Sequence, residues 1–263
     1  MDLKLMGKTA FVAGASRGLG YAIARELLHE GCKVAINGRS SDRLNAAVSK
    51  LRAEIPGEVI ALDGDLTDAA IPEKLINSTI DTFGNLDLLV TNAGGPPAGR
   101  FEDIDDQTWQ LAIDLSLMSH VRLIRAAIPY LKQSKHASVL SITSYSVKQP
   151  IPNLVLSNSV RSANVGLIKT LALELGHQGI RFNSILPGWT NTERVTELMT
   201  NRASQNGTTV ELEITRQLGE SVFKRMATPQ EFANVAVFLL SPAASYVTGV
   251  MLTVDGGVYK GTL

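Results

Sequence analysis

A single-domain α/β fold, a doubly wound parallel sheet with helices on both faces, is what this sequence predicts, and three observations predict it. Short apolar runs alternate with longer amphipathic stretches almost to the end of the 263 residues. Those runs are apolar on both faces, which suits strands covered by helices on each side. The first of them ends in a glycine-rich turn, "AGASRGLG", that opens a helical pattern.

Taken in order, "KTAFVAG" reads as the first strand and Leu19 to His29 as the first helix. "KVAING" is the second strand, followed by a helix from Ser41 to Glu54. "EVIALDGD" is the third, with Asp68 expected to cap a helix running to Phe83. "LDLLVTNAGG" is the fourth, and helical sequence then runs from about Asp105 to Gln133. "ASVLSITS" precedes a helix beginning near residue 155, which leads into "IRFNSILPG". A helix from Pro229 to Leu240 and the closing strand "VMLTVDGG" complete the pattern. Right-handed crossovers wind these units into one sheet. No linker, low-complexity tract or fixed-period repeat divides the chain, so residues 1–263 are expected to form one domain. The polar segment 191–228 breaks the rhythm where it leaves the carboxyl end of a strand, and is expected to be a helical lid insertion.

Composition narrows the function. Lys+Arg and Asp+Glu both number 25, which leaves no electrostatic footprint for nucleic acid or an anionic membrane. No run of about 18 apolar residues is present to span a bilayer, and the amino-terminal run ends in glycines instead of a signal-peptide core. Cys32 is the one cysteine, so no intrachain disulfide is available and a reducing, cytoplasmic setting is expected. No clustered ligand set suggests a metal.

Gly14, Gly18 and Gly20 stand at the first strand-to-helix turn. Glycines there allow a tight turn and let backbone N–H groups and the helix N-terminus approach a pyrophosphate. An acid at the end of the second strand would hold the ribose hydroxyls of NAD, but "INGRSSDRL" offers none. Arg39 there, with Arg17 inside the glycine turn, suits the 2′-phosphate of NADP, which is expected over NAD. Asp65 is placed for an adenine edge, and Asn92, Ala93 and Gly94 lie where small residues permit close approach.

Together "GASRGLG" at 14–20, "TNAG" at 91–94, Ser144 in "SITS", "PGWTNT" at 187–192 and "VDGG" at 254–257 resemble the short-chain dehydrogenase/reductase family. The likeness covers essentially the whole chain and is nearest to the branch that includes 3-oxoacyl-carrier-protein reductases. It implies a Rossmann-type sheet, a nicotinamide cofactor, a small-molecule carbonyl/alcohol substrate and a homotetramer. It also implies cofactor contacts from Ser16, Leu19, Leu66, Pro187, Gly188, Thr190 and Thr192.

In that family a serine and a tyrosine hold the substrate oxygen, a lysine four residues after the tyrosine lowers its pKa and binds ribose, and an asparagine on an earlier helix helps relay the proton. By motif, Ser144 matches the serine, while the tyrosine, lysine and asparagine positions fall on Ser157, Arg161 and Asp114. A serine hydroxyl is far less acidic than a phenol near ~10, and an arginine stays protonated. Arg161 can still bond ribose hydroxyls. General acid catalysis is worth about 10²–10⁴-fold, so a substitute acid matters. Tyr145, beside Ser144, is the first candidate, although strand alternation would turn it to the opposite face. A water held by Ser157 and Asp114 is the second. The expected activity is therefore an NADP-dependent oxidoreductase with an atypical proton donor. The alternatives are a catalytically silent NADP-binding protein or non-catalytic subunit, and non-redox chemistry with Arg161 clamping an anion.

Overall fold

The computed structural model describes residues 1–262. Seven parallel strands form one sheet: β1 (Thr9–Val12), β2 (Lys33–Gly38), β3 (Val59–Asp63), β4 (Leu88–Thr91), β5 (Ser138–Ile142), β6 (Arg181–Pro187) and β7 (Met251–Val254). Their order is β3-β2-β1-β4-β5-β6-β7, so the chain winds outward from β1 and then restarts on its other side at β4. That reversal opens a crevice at the carboxyl ends of β1 and β4.

Alternation along the strands sorts side chains onto two faces. Ala10, Val12, Val34, Ile36 and Val90 pack with residues of α1 (Gly18–His29), α2 (Ser41–Glu54) and α9 (Pro229–Leu240). Phe11, Ala35, Leu89 and Val139 pack on the other side against α3 (Ile71–Phe83), α5 (Ser119–Leu131) and α6 (Val155–Leu175). Every residue of β1, β4 and β5 is buried, which explains why those strands read as unbroken apolar runs. Along α6 the buried side chains Leu156, Val160, Asn164, Ile168 and Ala172 recur every fourth residue, and Arg161 flanks that stripe.

Some boundaries differ from expectation. The third helix begins at Ile71, not Asp68. Asp65 and Asp68 instead tie the chain into turns, accepting from the N–H groups of Thr67 at 3.0 Å and Ala70 at 2.9 Å. The long helical stretch after β4 divides into α4 (Asp106–Ile113), a wide π-turn over Asp114–Met118, and α5. Ser119 Oγ folds back onto the Leu115 carbonyl beside that turn. Segment 191–228 holds α7 (Glu193–Asn206) and α8 (Val210–Glu220). Thr228 and Glu231 close it with a reciprocal capping box at the start of α9. No helix among the described residues is long and apolar enough to cross a membrane.

Candidate active site

A cavity of about 350 Å³ lies along the carboxyl edge of the sheet. Its first end is the glycine turn between β1 and α1. Gly14 and Gly18 have φ of +57° and +61°, the left-handed region that favours glycine. A Cβ on Gly14 would also stand 2.8 Å from Asn92 Nδ2, and one on Gly20 would stand 2.4 Å from the Gly14 carbonyl oxygen. Asn92 Nδ2 in turn donates to the carbonyls of Ala13 and Gly14 at 3.3 and 3.2 Å, fixing the turn from β4. No side chain caps α1 and no acid sits in its first turn, so its N–H groups and positive dipole end stay open to the cavity.

Ser16, Leu19, Arg39, Asp65, Leu66, Ala93 and Gly94 continue the lining. Arg39 is exposed and carries no ion pair among the described residues. Arg17 differs: its guanidinium pairs with Glu193 and, at 3.3 Å, with Glu197, both at the start of α7. Asp65 Oδ1 accepts from the N–H and the hydroxyl of Thr67, and the residue lines the cavity. Gly20 does not line the cavity; its part is the close packing of helix on turn.

Ser144, Ser157 and Arg161 meet at the far end. Ser144 Oγ accepts from the Ser146 N–H at 3.1 Å, which leaves its own O–H free to donate elsewhere. Ser157 lies in the first turn of α6, whose cap position is Leu154, and its hydroxyl has no hydrogen-bond partner among the described residues. Arg161 is 7% exposed. Its Nη1 donates to the Ile142 and Thr143 carbonyls at 3.3 and 3.2 Å. Burial, then the charge of Arg194, lowers its pKa to about 10. Pro187, Gly188, Thr190 and Thr192 line the same side, and Thr190 Oγ1 is buried without a partner.

Two expected residues behave otherwise. Asp114 is absent from the lining; its oxygens take Gln110 Nε2 at 3.0 Å and Arg122 Nη2 at 3.2 Å, drawn away by that ion pair in the π-turn. Tyr145 does reach the cavity, because the chain turns into a short 3₁₀ segment after Ser144 and strand alternation ends there. Yet it is 4% exposed, edge-on to Trp189 at 6.3 Å, and packed with Ile151, Leu154 and Met199. Burial first, then Glu220, pushes its pKa up to about 12, which makes it a poor acid. Lys148 lies over the Tyr259 ring, outside the lining, and does not assist it. His120 ties α5 to β4 and β5 through Thr91 Oγ1 at 2.8 Å and Ser141 Oγ at 3.2 Å.

Sequence reasoning missed Thr143, Trp189, Arg194, Val195 and Leu198 among the lining residues. The signal for Arg194 was its place just past "PGWTNT", at the start of the polar segment. Only the first turns of α7, and nothing of α8, border the cavity.

Comparison with known proteins agrees with this geometry. Residues 14–259 match the family model described as enoyl-(acyl carrier protein) reductase. Dehydrogenase/reductase SDR family member 4 of Oryctolagus cuniculus is 32% identical over 96% of this chain and 94% of its own. The L-sorbose reductase of Gluconobacter frateurii, solved with NADPH and L-sorbose, superposes with a TM-score of 0.94 at 30% identity, covering 99% of this chain and 100% of its own. An NADPH-bound short chain oxidoreductase of Pseudomonas aeruginosa PAO1, described as containing an atypical catalytic center, superposes with a TM-score of 0.89 at 28% identity, over 97% of this chain and 98% of its own.

Proposed function

The chain belongs to the short-chain dehydrogenase/reductase family, and we propose that it is an NADP(H)-dependent oxidoreductase acting on a carbonyl/alcohol pair without a tyrosine acid. One observation carries this reading: a single cavity joins an uncapped helix N-terminus and an unpaired Arg39 to Ser144, Ser157 and Arg161.

The residues present fit the cofactor. The Gly14–Gly20 turn has no room for a Cβ at Gly14 or Gly20, leaves its N–H groups open, and can cradle a pyrophosphate. Arg39 suits a 2′-phosphate and Arg17 joins it on release from Glu193, while β2 ends without a carboxylate. Asp65 and Leu66 serve the adenine side, and the orphaned Thr190 hydroxyl, with Pro187, Gly188 and Thr192, serves the nicotinamide side. NADPH supplies the hydride when bound.

The chain itself does the rest. Ser144 and Ser157 hold the carbonyl oxygen. Arg161, in the place of the family lysine, sets a fixed positive charge beside it and stabilises the alkoxide as it develops. Water at the cavity mouth delivers the proton. Tyr145 acts as a wall of the site, and the first turns of α7 as its lid. The Pseudomonas aeruginosa neighbour, described as NADPH-bound and as containing an atypical catalytic center, supports treating an atypical center as compatible with NADPH binding. We also read the protein as a cytoplasmic homotetramer, supported by its single buried cysteine and by the exposed apolar Leu173, Tyr246, Met251 and Leu252.

Fluorescence titration with NADPH and NADH tests the proposal. NADPH is expected to bind at least ~10-fold more tightly than NADH, and Arg39→Ala to weaken NADPH about 10–100-fold, the worth of one charge-assisted contact. Failure of both cofactors to bind would sink the reductase reading. Tight NADPH binding without turnover of any carbonyl compound would favour a silent binding protein.

A further inference from the structure

Charges around the cavity do not balance at its far end. Arg161 is buried, its two carbonyl bonds at 3.2 and 3.3 Å are long, and no carboxylate pairs with it among the described residues. A buried charge without a counter-charge is costly, and the desolvation is offset only by an anion or a dense set of hydrogen bonds. Arg194, on the first turn of α7, lines the same cavity. Its Nη2 donates to the Pro96 carbonyl at 2.9 Å and its guanidinium lies flat on Gly95. The nearest acid to it, Glu197, is 3.7 Å away and is shared with Arg17. The charge of Arg194 bears on Arg161, and no acid among the described residues pairs with Arg161.

The cofactor does not supply the missing anion. Its phosphates belong at the α1 N-terminus and Arg39, whereas Arg161 is tied to the carbonyls at the end of β5. Resting on the reductase reading above, we infer that the carbonyl substrate is an oxo acid, its carboxylate clamped between Arg161 and Arg194 while its carbonyl oxygen rests on Ser144 and Ser157. Two planar forks suit a carboxylate. The Arg161 fork is tied to the Thr143 carbonyl, one residue before Ser144. Tyr145, Ile151, Leu154, Trp189 and Leu198 make the remaining wall apolar, which suits an apolar chain or ring beyond the reacting carbon. In the reaction the carbonyl carbon receives hydride from NADPH and its oxygen a proton from water. The product is a hydroxy acid and NADP⁺, with the carboxylate unchanged.

Calorimetric titration with phenylacetate and phenylacetamide, non-reducible and alike in shape, reads the inference on the full chain with and without NADPH. The acid is expected to outbind the amide by about 10–100-fold. That ratio should fall toward unity in Arg161→Met and in Arg194→Met, and because both ligands see one sample, a partly unfolded fraction does not move it. An acid that does not outbind the amide, including the case in which neither binds, overturns the inference, as does a ratio unchanged in both variants. The two readings fail separately. Loss of NADPH binding with the acid preference intact removes the reductase and leaves the anion site. NADPH binding without acid preference removes the oxo acid alone.

Discussion

At the Gly14 end of the cavity the walls are backbone; at the Ser144 end they are side chains. The glycine turn is held by φ values of +57° and +61°, by carbonyls gripped from Asn92, and by a helix laid so close that Gly20 has no space for a Cβ. The far end is two serine hydroxyls and two arginines set on α6, α7 and the end of β5. Backbone architecture tolerates few residue types, whereas side-chain chemistry can be exchanged on an unchanged scaffold. The two ends are therefore expected to respond differently to substitution, one through binding and the other through rate.

The largest effect should come from the side-chain end. Ser144→Ala removes a donor to the reacting oxygen, and loss of one such donor costs about 10²–10³-fold in kcat. Steady-state kinetics should show that loss with the NADPH dissociation constant nearly unchanged. A fall in cofactor affinity instead would mean that the two ends are not separable. The backbone end should give a smaller effect of the opposite kind. Gly14→Ala forces a left-handed residue worth about 1–3 kcal/mol of strain and presses on Asn92, so NADPH should bind about 10–100-fold more weakly. Equal weakening of kcat and binding would erase the distinction.

The same contrast explains what could be read in advance. Residues Gly14, Gly18, Gly20, Asn92 and the alternating strands leave signatures of type and spacing, because the backbone there admits little else. Arg39 was legible through an absent acid. Asp114 was not: its position on the helix is as expected, but a π-turn and the ion pair with Arg122 take its carboxylate out of the cavity, and neither is written locally. The direction of Tyr145 could not be read from strand alternation, because β5 ends at Ile142 and the chain turns into a 3₁₀ segment at Tyr145. Arg194 and Leu198 reach the site only through the tertiary placement of α7, in a segment whose sequence is merely polar and helical. The lid reading rests on those first turns alone.

The central claim, a reductase that replaces the tyrosine acid with a fixed arginine charge, is tested most directly by the pH dependence of kcat for carbonyl reduction. The charged guanidinium is the form required, so activity is present below its pKa and lost above it. The account predicts a level rate across neutrality and on into the alkaline range, because a guanidinium keeps its proton there. Tyr145→Phe should follow the same curve within about threefold, well short of the ~10²–10⁴ that a general acid supplies. A descending limb near neutrality, or a loss on Tyr145→Phe of that larger size, would contradict it and return the acid to a phenol.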